Sequence, residues 1–535
     1  MEKIKTQTEK VSGRFGVTLA FMAILLAFSA ANLTAQGFWP DYDFKAANAD
    51  GDTLYYRITS SSAPYTVAVT RCHDSVYHTL PSPTTTWEMG QPGFLYPVFD
   101  YDSMITVPSS VSHGGVTYAV TAVDKEAFYN QKGLNTVILP PSVETVDTGA
   151  FCRSSLHNIV MPNVKYINYY AFNSTSSLMH VDLPSCLTYL GDLAFCFGAL
   201  SEVEIPAGVT VLPYEAFCRC PLTRITLHEG LEVIEYKAIP PTYLDSIVFP
   251  STLRKLALGD PYLVDPYDST SDILCHYVEF KPNTNPLELY DYCFKDFRHL
   301  TSITLPGNTV KMGHSCFASS GIEQITIPSS IDTIPKYCFE GCTALSHVVM
   351  PQQLAFIDQG AFRETPQLRE IDIPASVQSI GRNAFYTYPE RGLEHVNCYS
   401  ETPPSIFGNT FSKGDTIFVR VPCGKTTAYQ SASGWNSYSN LVFEECVGVE
   451  EHDPADFKVY PNPADDVLFI ELRGGAGIAN VGLYDLQGRA VGTRFIASAT
   501  GASATVNMRD IPAGVYVLRV TDMDGKEYHQ KIVRK

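Results

Sequence analysis

Apolar and polar positions alternate in short bursts through the middle of this chain, and the bursts recur. In Leu200-Ser-Glu-Val-Glu-Ile-Pro206, an extended strand turns Leu200, Val203 and Ile205 to one side and Glu202 and Glu204 to the other. Pro206 has no amide hydrogen to give a ladder, so it ends the strand. Val209 and Leu212 return to the apolar side, and Ala216-Phe217 sets a small residue beside a large ring. The Ala-Phe or Cys-Phe step recurs with its Phe at 128, 151, 172, 195 and 217, then at 294, 317, 339, 362 and 385, at intervals of 21 to 23 within each group. An apolar-Pro step keeps the same phase at Pro140, Pro162, Pro184, Pro206, Pro250, Pro328, Pro351 and Pro374, with His228 in the slot after Pro206.

A unit this short cannot bury its own apolar face, whereas stacked units bury a continuous core. The period of 22–23 falls in the range of leucine-rich repeats. The pattern therefore predicts a mainly β chain built on a leucine-rich-repeat solenoid, with the Phe column inside it. Two places break the phase. Ala238 stands where a Phe is expected, and residues 251–293 carry an insertion rich in Asp, Tyr and Pro from Leu258 to Asp272. Residues 396–411 stretch one unit around Thr402-Pro-Pro404. The first departure reads equally as a projecting functional loop and as a drifted repeat.

The two ends have different patterns. Lys3, Lys5, Lys10 and Arg14 precede an apolar run from Val17 to Ala30, the layout of an export signal, and Ala31-Asn-Leu-Thr-Ala35 ends in a small residue suited to cleavage. No later run reaches the about 18 apolar residues that a membrane-spanning helix needs, so no transmembrane segment is expected in the mature chain. At the other end, short alternating strands follow Tyr460-Pro461-Asn462-Pro463, lead up to Gly488-Arg489, run from Gly514 through Tyr516, and finish around Lys531. Their spacing suggests a small Ig-like β-sandwich.

These terminal motifs, YPNPADDVLFIEL, LYDLQGR, PAGVYVLRV and KIVRK in that order, resemble the type IX secretion sorting domain of Bacteroidetes. The resemblance implies handling by the type IX secretion machinery and release or attachment at the outer cell surface. The repeat L-x-x-V-x-I-P followed by V-x-x-I-x-x-x-A-F resembles the BspA-like leucine-rich repeats of bacterial surface proteins, over roughly residues 115–445. Val421 to Trp435 is similar to the closing cap of such arrays, and the stretch from Asp41 to Val120 to their β-rich leading region. The organisation expected is a signal peptide at 1–35, a β-rich N-terminal cap at 36–115, the solenoid with its closing cap at 116–446, a linker at 447–456 and the sorting domain at 457–535. The resemblance implies attachment to proteins of host matrix or to other bacterial cells.

Charge narrows the partners further. Residues 36–456 carry 24 basic against 46 acidic side chains. So acidic a surface repels phosphate backbones and anionic headgroups, which excludes nucleic acid and bare membrane as partners. With 45% hydrophobic and 18% charged residues, the chain is composed as a folded protein.

Fourteen cysteines in an exported chain suggest disulfides, yet most sit in repeat phase. Cys293, Cys316 and Cys338 take the small-residue slot before Phe, and Cys152, Cys196 and Cys218 follow it, as core fillers would. Cys423 and Cys446, bracketing the cap, form the most plausible bridge. No C-x-x-C pair occurs, so neither a zinc site nor any other metal or cofactor is expected.

No nucleophile elbow, H-E-x-x-H, P-loop or dinucleotide-binding glycine pattern is present. Catalysis is therefore not expected. The outward strand positions are the candidate binding residues on the concave face. One column runs Ile138, Val160, Asp182, Glu204, Thr226, Val248, Thr304, Thr326, Val349 and Asp372. The parallel column includes His180, Glu202 and Arg224. Glu202 and Glu204, two apart on a strand, match the spacing of an inverting glycosidase pair, but an open sheet lacks the enclosed carboxyl that such chemistry requires. The reading is a secreted or surface-held, non-catalytic, adhesin-like binding protein. A passive surface-layer spacer and a secreted hydrolase remain open as alternatives.

Overall fold

A computed structural model describes residues 42–71, 103–259, 273–388, 392–407, 409–445 and, within 457–534, chiefly the strands. The expected signal segment and residues 260–272 of the insertion lie outside these residues.

The middle of the chain is a parallel β-solenoid. Most coils contribute a strand of three or four residues, a turn, a two- or three-residue strand and a tight corner bearing the small-residue-Phe step. The first strands form an outer ladder. Thr136–Ile138 pairs with Asn158–Val160, Glu202–Ile205 with Arg224–Leu227, and Gln324–Thr326 with His347–Val349, all parallel. Inward residues such as Val137, Ile159, Val203 and Ile325 are buried, as the alternation requires. The second strands form another ladder, exemplified by Val211–Leu212 on Val233–Ile234 on Lys255–Leu256.

The Phe column is real and entirely inside. Rings 128, 151, 172, 195 and 217 stack with centroids 5.0–5.4 Å apart, and rings 294, 317, 339, 362, 385 and 411 with centroids 5.1–5.7 Å apart. Backbone bonds fix the register, as in Phe151 N to Ala171 O at 2.8 Å and Phe172 N to Ala194 O at 2.7 Å. Ala238 corrects the sequence reading. Phe217 N donates to Ala238 O as Phe195 N does to Ala216 O, so Ala238 holds the small slot and buried Ile239 holds the Phe slot. Where the column lapses, Phe249 and Phe280 stack at 5.1 Å from the strand ends and fill the core instead.

The corners carry a feature the sequence pattern did not predict. Most coils place two residues in left-handed backbone, one before the small-residue-Phe step and one two residues after the Phe. Tyr170 and Ser174, Leu193 and Phe197, and Glu215 and Arg219 are three such pairs. Among the described residues, seventeen non-glycine residues adopt this conformation, and none is Val, Ile or Thr. β-branched side chains clash there most severely, so their exclusion is the steric signature of the corner.

Both ends of the core are closed. Antiparallel strands Phe44–Ala47, Thr53–Ser60 and Thr66–Thr70 join the solenoid through Val116–Val123, while Met104–Thr106 already supplies the first rung of the outer ladder. At the other end the helix Thr426–Ser431 and the turn at Trp435 cover Phe411. Trp435 is fully buried with its indole N–H on Pro404 O at 2.8 Å, and Tyr429 donates to Ser400 O at 2.8 Å.

The C-terminal domain has a core of its own. Phe457–Tyr460, Val467–Leu472 and Ser503–Asn507 form one antiparallel sheet, and Ile478–Asp485, Gly514–Asp522 and Glu527–Arg534 another. Leu468, Ile470 and Val506 of the first are buried with Leu518, Val520 and Ile532 of the second, which makes a small sandwich. Among the described residues no helix is long and apolar enough to cross a membrane.

Candidate functional site

The outer strands turn their first and third positions to solvent and bury the second and fourth. Val160, His180, Asp182, Glu204, Arg224, Thr226, Val248, Thr304, Thr326 and Asp372 are exposed, while Ile138, Glu202 and Val349 are half-buried. Ile138 and Val160 are register neighbours and form a small apolar patch at one end.

Charges on this face are matched across rungs. His180 Nε2 lies 3.0 Å from Asp182 Oδ1, and its Nδ1 lies 3.7 Å from Glu202 Oε1. Glu202 also pairs with Arg224, and His228 Nε2 reaches Glu204 Oε1 at 2.7 Å. The patch read from sequence as acidic is therefore a network of carboxylates with histidine and arginine partners. Glu204 keeps 72% of its side chain exposed and Glu202 40%, so neither has the enclosure that would make it a general acid. The rung bearing His180 and Asp182 carries no strand pairing, and the outer ladder is divided there.

A second network went unnoticed in the sequence. Asn397 donates to Glu370 Oε1 and Asp372 Oδ1, both at 2.8 Å, while Arg420 reaches Glu370 Oε1 at 3.4 Å and Glu444 Oε2 at 3.2 Å. Strand register places Asp372, Asn397, Arg420 and Glu444 in one column. The signal was present in Ile417-Phe-Val-Arg-Val-Pro422, which repeats the strand-Pro step, but the stretched unit before it broke the phase.

The insertion leaves its own mark. Val248 pairs with Glu279, not with Thr304, because Tyr277–Phe280 is the next rung. Between that rung and Ser302–Leu305 no strand pairing forms among the described residues, although Phe294 and Phe317 of the same coils stack at 5.2 Å. The Phe corner thus stays stacked where the strand pairing lapses. A cleft of about 510 Å³ lies at that lapse, lined by Tyr277, Glu279, Lys281, Asn283, Thr304 and Asn308 among others.

The second ladder presents a different surface. Tyr166, Tyr189 and Val211, on neighbouring rungs, are 45%, 51% and 38% exposed.

Sorting-motif residues divide between described and undescribed positions. Tyr460 is exposed, stacks on Phe469 at 5.7 Å and donates to Glu471 Oε1 at 2.5 Å. Gly514 opens its strand, Tyr516 is buried and donates to Pro512 O at 2.7 Å, and Lys531 is exposed on the final strand. Pro461, Asn462, Pro463, Gly488 and Arg489 lie outside the described residues.

Cys423 is disulfide-bonded, and its expected partner Cys446 lies outside the described residues. Among the described residues eleven other cysteines are free thiols. Among the described residues one group of three ligand-type side chains gathers, Cys196, Glu215 and Cys218, drawn from two adjacent coils.

Comparison with known proteins accords with this architecture. Residues 111–222 and 275–390 match the BspA type leucine-rich repeat region in six copies, and residues 458–535 match the secretion system C-terminal sorting domain. A leucine-rich repeat protein of Bacteroides ovatus shares the fold, with 22% identity and a TM-score of 0.51 over 76% of this chain and 100% of that one. A leucine rich cell surface protein of Faecalibacterium prausnitzii aligns with 20% identity and a TM-score of 0.35 over 63% of this chain and 91% of that one. An endo-acting ulvan lyase of Formosa agariphila is 31% identical over 140 residues, and the chain spans only 26% of the length of that relative, which is also 26% of its own.

Proposed function

We propose, from the premise that this chain is a BspA-type leucine-rich-repeat protein carrying a secretion system C-terminal sorting domain, that it is an adhesin-like binding protein. The sorting domain implies export to the medium or the outer surface. There the exposed strand face attaches to proteins of host matrix or of neighbouring bacterial cells, without catalysis.

The observation that carries this reading is the face itself. Over many rungs its outward side chains are solvent-exposed, mixed in charge and held in place by cross-rung pairs, while the residues between them are locked in the core. A rigid surface with ordered polar groups loses little conformational entropy on binding, and its mixture of Val, His, Arg, Glu and Thr is that of a protein-binding rim. The expected export signal at 1–35 and its removal belong to the same reading.

Two results separate binding from a spacer role. The purified exported chain is expected to bind immobilised host matrix proteins or bacterial cells saturably. Flat, non-saturable retention equal to that of an unrelated acidic protein would leave the spacer. A hydrolase reading favours no residue group among those described, since Glu202 and Glu204 are exposed and paired.

A further inference from the structure

The slot after the core Phe holds Cys152, Cys196 and Cys218 but does not demand a thiol. The position after the core Phe holds Tyr129, Asn173, Lys295, Ala318, Glu340 and Arg363 in other coils, so it accepts side chains of any size and polarity. It differs from the slot of Cys293, Cys316 and Cys338, where only a small residue fits beside the stacked rings. Two thiols on adjacent coils at so permissive a position call for a chemical explanation.

The backbone brings them together with a carboxylate. Cys218 N donates to Glu215 O at 3.1 Å, closing a turn that holds both residues at one corner. Phe197 N donates to Cys218 O at 2.9 Å and sets the neighbouring coil in register, so that Cys196 lies beside Cys218. As a result the two sulfurs and a Glu215 carboxylate oxygen all lie within 4.8 Å of one another. Cys196 is buried, while Glu215 and Cys218 are half-buried, so the group is anchored on one side and open to water on the other.

We propose that Cys196, Glu215 and Cys218 form a binding site for a thiophilic divalent ion of the Zn²⁺ type. Around a tetrahedral ion with bonds of about 2.0–2.3 Å, neighbouring ligand atoms stand roughly 3.5 Å apart. Small side-chain rotations at the two half-buried residues supply that contraction. Two sulfurs favour zinc over calcium or magnesium, which take oxygen ligands. The ion binds both cysteines as thiolates, two protons pass to solvent, and water completes the fourth position. Bridging two coils, the ion staples the solenoid at one point of its length.

The test uses the full chain, kept reduced with a phosphine, and Co²⁺ as the probe. One equivalent of Co²⁺ is expected to give a near-ultraviolet thiolate-to-metal band that Zn²⁺ abolishes by displacement. Cys218→Ser should weaken Co²⁺ binding by tenfold or more and halve the band. Glu215→Gln, which leaves both sulfurs, should weaken binding by about tenfold and keep the band. Cys152→Ser, at the same slot two coils away, should change neither. Absence of the band, a band unaltered by Cys218→Ser, or recovery of a Cys196–Cys218 disulfide from the exported protein overturns the proposal. If Cys218→Ser fails to fold, the Glu215→Gln titration decides.

Discussion

Left-handed backbone at the coil corners sets a rule for single residues. Such a conformation costs an ordinary L-residue roughly 1–2 kcal/mol and a β-branched one more. At Ser319, with φ of 58° and its N–H on Glu340 O at 2.7 Å, Ser319→Val should destabilise the chain by about 1–2 kcal/mol. Ser319→Gly should stay within about 1 kcal/mol of the natural chain, because relief of the corner offsets the extra freedom of the unfolded state. Urea unfolding of the pair checks the order, and Val equal to Gly would contradict it. Thiols set a second rule. Burial pushes Cys152, Cys275 and Cys342 up to about 11, and Cys220 and Cys398 up to about 12, from an ordinary value near 9. Their folded values lie above their unfolded ones, so the stability they contribute is complete below pH 9 and is lost as pH rises toward 11 and 12. Each thiol costs up to about 1.4 kcal/mol per pH unit in that window. Unfolding at pH 8, 9 and 10 should show the decline, and Cys398→Ala should make it shallower by that one thiol's share; an unchanged slope would refute the assignment.

At the scale of elements, the Phe column and the strand alternation were legible because each is written in every repeat. Phe172 touches Phe151 and Phe195 on either side at 5.2 and 5.0 Å. Phe172→Ala should cost about 3–5 kcal/mol, and because a coil contacts only its neighbours, hydrogen exchange should rise first in the adjacent coils. Uniform exchange along the whole solenoid would contradict nearest-neighbour cooperativity. What escaped the sequence lies where the repeat drifts. Ile239 was missed because an aliphatic residue replaced the ring that marks the slot. The rung Tyr277–Phe280 and the network of Asn397 and Arg420 were missed because longer units, 31 residues from Val248 to Glu279 and 25 from Asp372 to Asn397, shifted the phase. The group of Cys196, Glu215 and Cys218 was invisible to any local motif, since its ligands come from neighbouring coils and meet only when the coils stack. Glu202 and Glu204 illustrate a different limit: their spacing is local, but the histidine and arginine that pair with them belong to other rungs.

The whole molecule presents two long exposed surfaces, the outer strand face with its paired charges and the second ladder with Tyr166, Tyr189 and Val211. The account assigns binding to the first. Exposed ion pairs contribute little to folding, with a median near 0–1 kcal/mol, so the strand face can be rewritten while the core stays intact. The direct test compares two variants of the exported chain for saturable binding to host matrix proteins and bacterial cells. Asp182→Lys/Glu202→Lys/Glu204→Lys alters the strand face, and Tyr166→Ser/Tyr189→Ser alters the second ladder. Both should unfold within about 1 kcal/mol of the natural chain. The account predicts that the first variant loses binding by tenfold or more while the second retains it. Retained binding in the first variant, with loss in the second, would move the site to the second ladder and contradict the account.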